Sequence, residues 1–195
     1  MHIILMGEMA TGKDYLLDYI VRTYGFRRIV TYTTRPKRVG EVDGISYHFL
    51  TEREFLEKEK NGFFLEVQVY RTKNGDWFYG TSKDSCLEDN SIIILDKNGW
   101  LEYSKITDNL SIFLYNNSDI EKFYRACKRI GTNVSQKEID EIHRRLNIDK
   151  NKFADVLENV DLALEQTYDN KVIDKLDKFL KLKGVVKIWL LKNLN

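Results

Sequence analysis

Gly7-Glu8-Met9-Ala10-Thr11-Gly12-Lys13-Asp14 follows the apolar run Ile3 to Met6 and precedes Tyr15, Leu16, Leu17, Tyr19, Ile20 and Tyr24, which recur at helical spacing until Gly25. A short buried-type strand, a glycine-bounded loop and a helix are predicted in that order. The loop matches G-x-x-x-x-G-K in the place where its chemistry is effective. Gly7 and Gly12 let the main-chain N–H groups of the loop, Ala10 and Thr11 included, wrap an anion. The helix start adds a favourable dipole, and Lys13 reaches β and γ phosphates. Such a loop ordinarily continues with Ser or Thr as a magnesium ligand. Here the next residue is Asp14, whose carboxylate can bind Mg²⁺ directly or through water. Asp96, closing the run Ile92 to Leu95, is the expected second carboxylate at that metal.

Working outward, Arg28 to Thr34, Ser91 to Leu95 and Ser111 to Tyr115 read as further strands, and Asn116-Asn117-Ser118-Asp119 as a turn and cap opening a helix to about Ile130. Strands alternating with helices argue for an α/β fold with a parallel sheet. Residues 35 to 81 break the rhythm. Ser46 to Leu50, Phe63 to Tyr70 and Trp77 to Tyr79 look like strands, Glu52 to Lys60 like a charged helix, and Asn74-Gly75 like a hairpin turn. The expected organisation is a core of 1–34 and 82–195 with a small β-rich insertion at 35–81. Within the core, Gly131 to Gln136 separates two arginine-rich helices. Trp77, Phe78, Phe63 and Phe64 are assigned to the insertion's own core.

Composition sets the bounds. The 195 residues carry 31 Lys and Arg against 30 Asp and Glu, so the basic excess that a nucleic-acid partner calls for is missing. Cys86 and Cys127 form neither a CxxC pair nor a disulfide framework, which fits a reducing cytoplasm. The start lacks the basic residues and long apolar run of an export signal, and Val185 to Leu191, interrupted by Lys187, is too short to span a bilayer and is expected to dock on the body. His2, His48 and His143 are scattered and form no catalytic or metal constellation.

The stretch Thr31 to Phe49 gathers Arg35, Arg38, hydroxyls, glycines and Tyr47 without helical or strand periodicity, as an anion pocket requires. Forked guanidinium donors match a phosphate bidentately. Together with the phosphate loop, it resembles the guanylate kinase family, whose signature T-T-R-x-P-R-x-G-E-x-x-G-x-x-Y-x-F fits Thr33 to Phe49 with the proline displaced by one position to Pro36. The resemblance runs over roughly residues 3 to 182, through Phe64-Leu65-Glu66, Phe78-Tyr79-Gly80-Thr81, the Arg125 and Arg129 pair, and Asn159.

This resemblance implies a nucleoside monophosphate kinase with a parallel-sheet core, a GMP-binding insertion and a short arginine lid at about 129–145. ATP and Mg²⁺ would be the cofactors, GMP the acceptor with dGMP as an alternative, and neither nucleic acid nor membrane a partner; the chain would act as a monomer or homodimer. Arg35, Arg38, Tyr47 and Tyr79, with Thr31, would bind the GMP phosphate. Glu66 would accept from guanine N1–H and the N2 amine, and Thr81 would donate to O6. The family's further base-contacting aspartate falls on Asn98, which implies a weaker guanine preference. Lys13, Arg125, Arg129 and Arg145 (or Arg144) would act on the transferring phosphoryl group, and Asn159 would lie near the ATP adenine. Two other readings stay open on the residues: a kinase of the same fold for another phosphorylated acceptor, such as ribose bisphosphate or a different nucleotide, and a catalytically dead guanylate-kinase-like binding module.

Overall fold

The computed structural model describes residues 1–72, 75–86 and 89–188. In chain order these form β1 (His2–Gly7), α1 (Lys13–Tyr24), β2 (Arg27–Arg28), β3 (Tyr32–Thr33), β4 (His48–Phe49), α2 (Glu52–Lys60), β5 (Phe64–Thr72), β6 (Gly75–Ser82), a 3₁₀ turn (Asp84–Cys86), β7 (Ser91–Ile94), α3 (Lys97–Tyr103), β8 (Asn109–Tyr115), α4 (Asp119–Ile130), α5 (Gln136–Lys152), β9 (Leu162–Glu165) and α6 (Lys171–Leu182).

The larger sheet has the order β2-β7-β1-β8-β9 and is parallel throughout. Every residue of β1 is buried, as expected of a central strand covered on both faces. Its side chains alternate. Ile3 and Leu5 pack with Leu16, Leu17 and Ile20 of α1 and Val172, Leu176 and Leu180 of α6, whereas Ile4 and Met6 meet Tyr103 of α3 and Phe153 and Val156 beyond α5. The carboxyl ends of β1 and β7 thus bring the phosphate loop and Asp96 to the same edge, where open α/β sheets bind ligands.

The smaller sheet, β4-β3-β6-β5, is built on the antiparallel β5–β6 hairpin. Phe55 stacks on Phe64 at 4.4 Å and lies 5.6 Å from Phe78, which is the aromatic core expected of the insertion. Gly80 is required there, because a Cβ would come within 3.0 Å of both Phe64 and Phe55. Trp77 departs from the expectation: it is half-buried and lines the cleft between the sheets.

Two boundaries differ from the sequence reading. Arg28 to Thr34 is not one strand, since β2 pairs with β7 in the larger sheet and β3 with β4 and β6 in the smaller. The chain changes sheets within this stretch, so the insertion's sheet starts at Tyr32 and ends at Ser82. Asn74 of the expected hairpin turn lies outside the described residues, as do residues 189–195 of the terminal stretch. The part of that stretch that is described does dock: Val185 packs on the core, and Lys187 bonds to Asp177, which also accepts from the Tyr19 and Tyr24 hydroxyls at 2.9 and 2.6 Å. Among the described residues no helix is long and apolar enough to cross a membrane, and both cysteines are free thiols.

Candidate active site

The phosphate loop is shaped by steric necessity at its first glycine. A Cβ on Gly7 would sit well inside contact distance of the Leu114 carbonyl oxygen on β8. Gly12, with φ +94°, turns the chain into α1, and Ala10 holds a left-handed φ of +59°. Such a backbone costs a residue with a Cβ on the order of 1 kcal/mol or more and persists only when its surroundings enforce it. The surroundings here are specific. Thr11 Oγ1 donates to Glu8 O at 2.9 Å, and Glu8 Oε2 accepts from Lys122 Nζ at 2.8 Å in a pair largely removed from water. Arg125 Nε donates to Ala10 O at 3.1 Å while its guanidinium lies 4.0 Å over the Tyr168 ring. Arg125 thus braces the loop backbone through that carbonyl.

Lys13 Nζ donates to Gly7 O at 2.8 Å and to Glu8 O at 2.7 Å. Burial pulls its pKa down to about 8, with Arg129 and Arg145 adding to the fall and Asp149 and Asp14 opposing it. Arg129 ends α4 and is exposed, whereas Arg145 lies in the cleft. Its neighbour Arg144 is held by a two-pronged bond to Glu141, both arms at 2.7 Å, which leaves Arg145 as the cation of this pair directed at the loop region. The helix that carries them is opened by a capping box, Ser135 with Glu138. Sequence reasoning missed Asp149 on the same helix, whose Oδ2 accepts from the Met9 N–H at 2.6 Å. Residues 145, 149 and 152 share one face by spacing, which was the available signal.

On the acceptor side, Arg35 is buried, donates to Glu41 Oε1 and to Pro36 O, both at 2.7 Å, and packs over Tyr47 at 5.3 Å. Glu41 Oε2 in turn accepts from the Arg38 N–H at 2.8 Å, so one carboxylate folds the loop that presents both arginines. Desolvation within the cleft, then Arg35 and Arg145, lower the Arg38 pKa, although the outer part of its side chain is open to solvent. Tyr47 and Tyr79 meet edge to face at 5.9 Å, and with Thr31 they line the cleft.

The β5–β6 hairpin lays Glu66, Gln68 and Tyr70 beside Thr81, Tyr79 and Trp77 along one face. Glu66 Oε1 accepts from Thr81 Oγ1 at 2.7 Å, while Oε2 is buried and has no hydrogen-bond partner among the described residues. Burial raises the Glu66 pKa; the Thr81 bond opposes this and nearby Asp96 adds to it. Asn98 Nδ2 reaches Gln68 Oε1 at 3.4 Å on the rim of the same pocket. The whole cleft, about 750 Å³, runs from Lys13 and Met9 to Glu66 and Asn98, room for a nucleotide-sized ligand.

Two expected site residues have other partners, Asp96 within the cleft and Asn159 outside its lining. Asp96 caps α3 through the Gly99 N–H at 2.8 Å, accepts from Tyr70 OH at 2.6 Å and is paired with Lys152. Both of its oxygens are engaged, one by an ammonium that a metal ion would have to displace. Asn159 Nδ2 donates to Asp155 O at 2.7 Å in the turn that leads into the amino end of β9, whereas the phosphate loop follows the carboxyl end of β1. The residue that does reach the loop is Gln166, just past β9, with Nε2 3.4 Å from Thr11 O. Among the described residues no group of three His, Cys, Asp or Glu could hold a metal. Asp14 stands exposed in the first turn of α1, close enough to act electrostatically on Lys13.

Comparison with known proteins gives a consistent picture. A family model described as guanylate kinase matches residues 1–182. The guanylate kinase of Clostridium perfringens (strain 13 / Type A) is 32% identical over 176 residues, covering 84% of this chain and 79% of the relative. That of Clostridium tetani (strain Massachusetts / E88) is 30% identical over 175 residues, 84% and 81% of the two chains. The crystal structure of guanylate kinase from Anaplasma phagocytophilum superposes with a TM-score of 0.64 over 97% of this chain and 91% of that one; at 19% identity this shows a shared fold.

Proposed function

The chain belongs to the guanylate kinase family, and on that premise we propose that it transfers the γ-phosphoryl group of ATP to GMP, giving ADP and GDP. The observation that carries the acceptor assignment is the Glu66 carboxylate, with one oxygen bonded to Thr81 and the other buried at the cleft and unpartnered among the described residues. An orphaned buried acceptor is costly unless a ligand supplies the donor. Guanine presents N1–H and an N2 amine side by side, whereas adenine presents an acceptor at N1. Thr81 beside it would donate to O6 only by turning its single hydroxyl proton away from Glu66, and Gln68 and Asn98 border the same pocket.

The phosphates of the two substrates would meet between Lys13, Arg145 and Arg38, with Arg129 at the rim. A loose phosphoryl-transfer transition state needs alignment and positive charge and no covalent intermediate. Arg35, Arg38, Tyr47 and Tyr79 hold the acceptor phosphate, and the N–H groups of the loop from Gly7 to Lys13 hold the donor's. Asp14 fits a magnesium ion held jointly with substrate phosphates, where the ion would neutralise phosphate charge. The two free thiols suit a cytoplasmic setting, in which the chain would act as a monomer or homodimer.

The test is ADP release with Mg²⁺-ATP and a panel of acceptors: GMP, dGMP, AMP, UMP and ribose 1,5-bisphosphate. GMP, with dGMP, should give the highest kcat/KM. A preference for ribose bisphosphate, or release of ADP with no acceptor dependence, would reject the assignment.

A further inference from the structure

Resting on the guanine reading of the acceptor pocket, we propose that Lys152 is a positioning residue for acceptor recognition. Its ammonium, delivered by the last turn of α5, neutralises Asp96 and so allows a second carboxylate, Glu66, to stand open in the same pocket. The contacts come from three parts of the molecule. Tyr70 on the insertion hairpin donates to Asp96 at 2.6 Å, Asp96 sits at the end of the strand preceding α3, and Lys152 closes on both, with its Nζ 3.2 Å from the Tyr70 hydroxyl and 4.8 Å over the ring.

Glu66 needs such help. Thr81 on β6 donates to it, Gln68 follows it on β5, the Cys86 thiol lies nearby in the 3₁₀ turn, and its leading charged neighbours, Asp96 and Glu102 from α3 and its cap, are both negative. Two like charges sharing a desolvated site push one of them toward the protonated form. A protonated Glu66 offers one acceptor fewer to the two adjacent donors of guanine. Lys152 is the cation bonded to Asp96, which acts on Glu66 more strongly than Glu102 does, and it arrives from the helix that also carries Arg145 and Asp149 into the cleft. Acceptor recognition is on this account completed by α5 and is not a property of the insertion alone.

The experiment is the pH dependence of kcat/KM for GMP, whose acid limb reports groups of the free enzyme and free substrate. The titration of GMP's own phosphate is common to all variants, so differences between them report the protein. For Lys152→Met the acid limb should move up by about half a pH unit or more, and kcat/KM at the acid end should fall roughly threefold to tenfold relative to wild type. Lys152→Arg should restore the wild-type limb. Asp96→Asn, alone or combined with Lys152→Met, removes the need for a counter-ion and should bring the limb to or below its wild-type position. A limb that stays in place in Lys152→Met, or a drop of the same factor at every pH, would reduce Lys152 to packing and overturn the proposal. Wild-type enzyme that ignores GMP while using another acceptor would overturn the guanine reading itself, a result visible before any variant is made.

Discussion

Asp149 accepts a hydrogen bond from the Met9 N–H at 2.6 Å, which places a carboxylate on a donor of the loop whose main chain is shaped for phosphate. Both residues line the cleft, and Lys13 feels the same carboxylate. Burial raises the Asp149 pKa, with the Met9 N–H and Lys13 holding it back. A phosphate arriving at Met9 competes with an anion already there.

Asp149→Asn should therefore tighten ATP binding. The charged acceptor is replaced by a neutral one of the same shape, and the difference between charged and neutral hydrogen bonds is about 1 kcal/mol, or roughly fivefold in affinity. Calorimetry with ATP and both proteins measures it, and equal or weaker binding in the variant would show that the carboxylate does not compete with the donor nucleotide.

Lys13 should make ATP binding a proton-linked event. With a pKa near 8 it is only partly charged at that pH, and an arriving polyphosphate favours the charged form. Affinity should accordingly be flat below the pKa and weaken as pH rises through it, with proton uptake on binding near pH 8. Calorimetry in buffers of different ionisation enthalpy reads that uptake directly. Lys13→Ala should lose about two orders of magnitude or more in turnover while keeping its fold.

Glu66→Gln keeps the shape of the side chain and turns one acceptor into a donor. The cost in GMP binding should be about 1.5 to 3 kcal/mol, roughly 10-fold to 150-fold, with AMP affected much less. The ratio of kcat/KM for GMP and AMP in both proteins is the readout. Asn98→Asp should raise the preference for GMP in the same assay.

Arg35 and Arg38 should separate. Arg35 is 3% exposed and bound to Glu41, so Arg35→Ala should lower stability by about 2 kcal/mol, or about 4 to 8 °C in Tm, as well as weaken GMP. Arg38 uses its N–H in the loop and leaves its side chain open, so Arg38→Ala should raise KM for GMP with little change in melting. Thermal unfolding followed on both variants distinguishes them.

What the sequence made legible was local. The strand, loop and helix around Gly7 to Lys13, the α2 span Glu52–Lys60 and the arginine loop are each written in a contiguous stretch, and the structure keeps them. Glu66 and Thr81 were found through a family resemblance, and their direct pairing follows from the register of the β5–β6 hairpin. The residues that were missed or misplaced depend on tertiary packing. Asp149 and Lys152 matter because α5 lies across the cleft, and Asp96 is tied up by Tyr70, 26 positions away in sequence. Arg125 shares a helix face with Arg129, yet its guanidinium lies over Tyr168 and its Nε donates to Ala10 O, contacts that no spacing announces. Asn159 was assigned to the ATP adenine through the family resemblance, while Gln166, just past β9, is the one adjoining Thr11.

One rigid helix, α5, reaches the donor loop through Asp149 and the acceptor pocket through Lys152, less than one turn further along. A shift of that last turn would move both contacts together. On the proposed reading ATP and GMP would each meet a contact of this turn, and any coupling between them would be reciprocal, the factor by which one nucleotide alters the dissociation constant of the other being the same in both directions. Synergy or antagonism between the two nucleotides would then be read at one turn of one helix, by measuring the dissociation constant of each in the presence of the other.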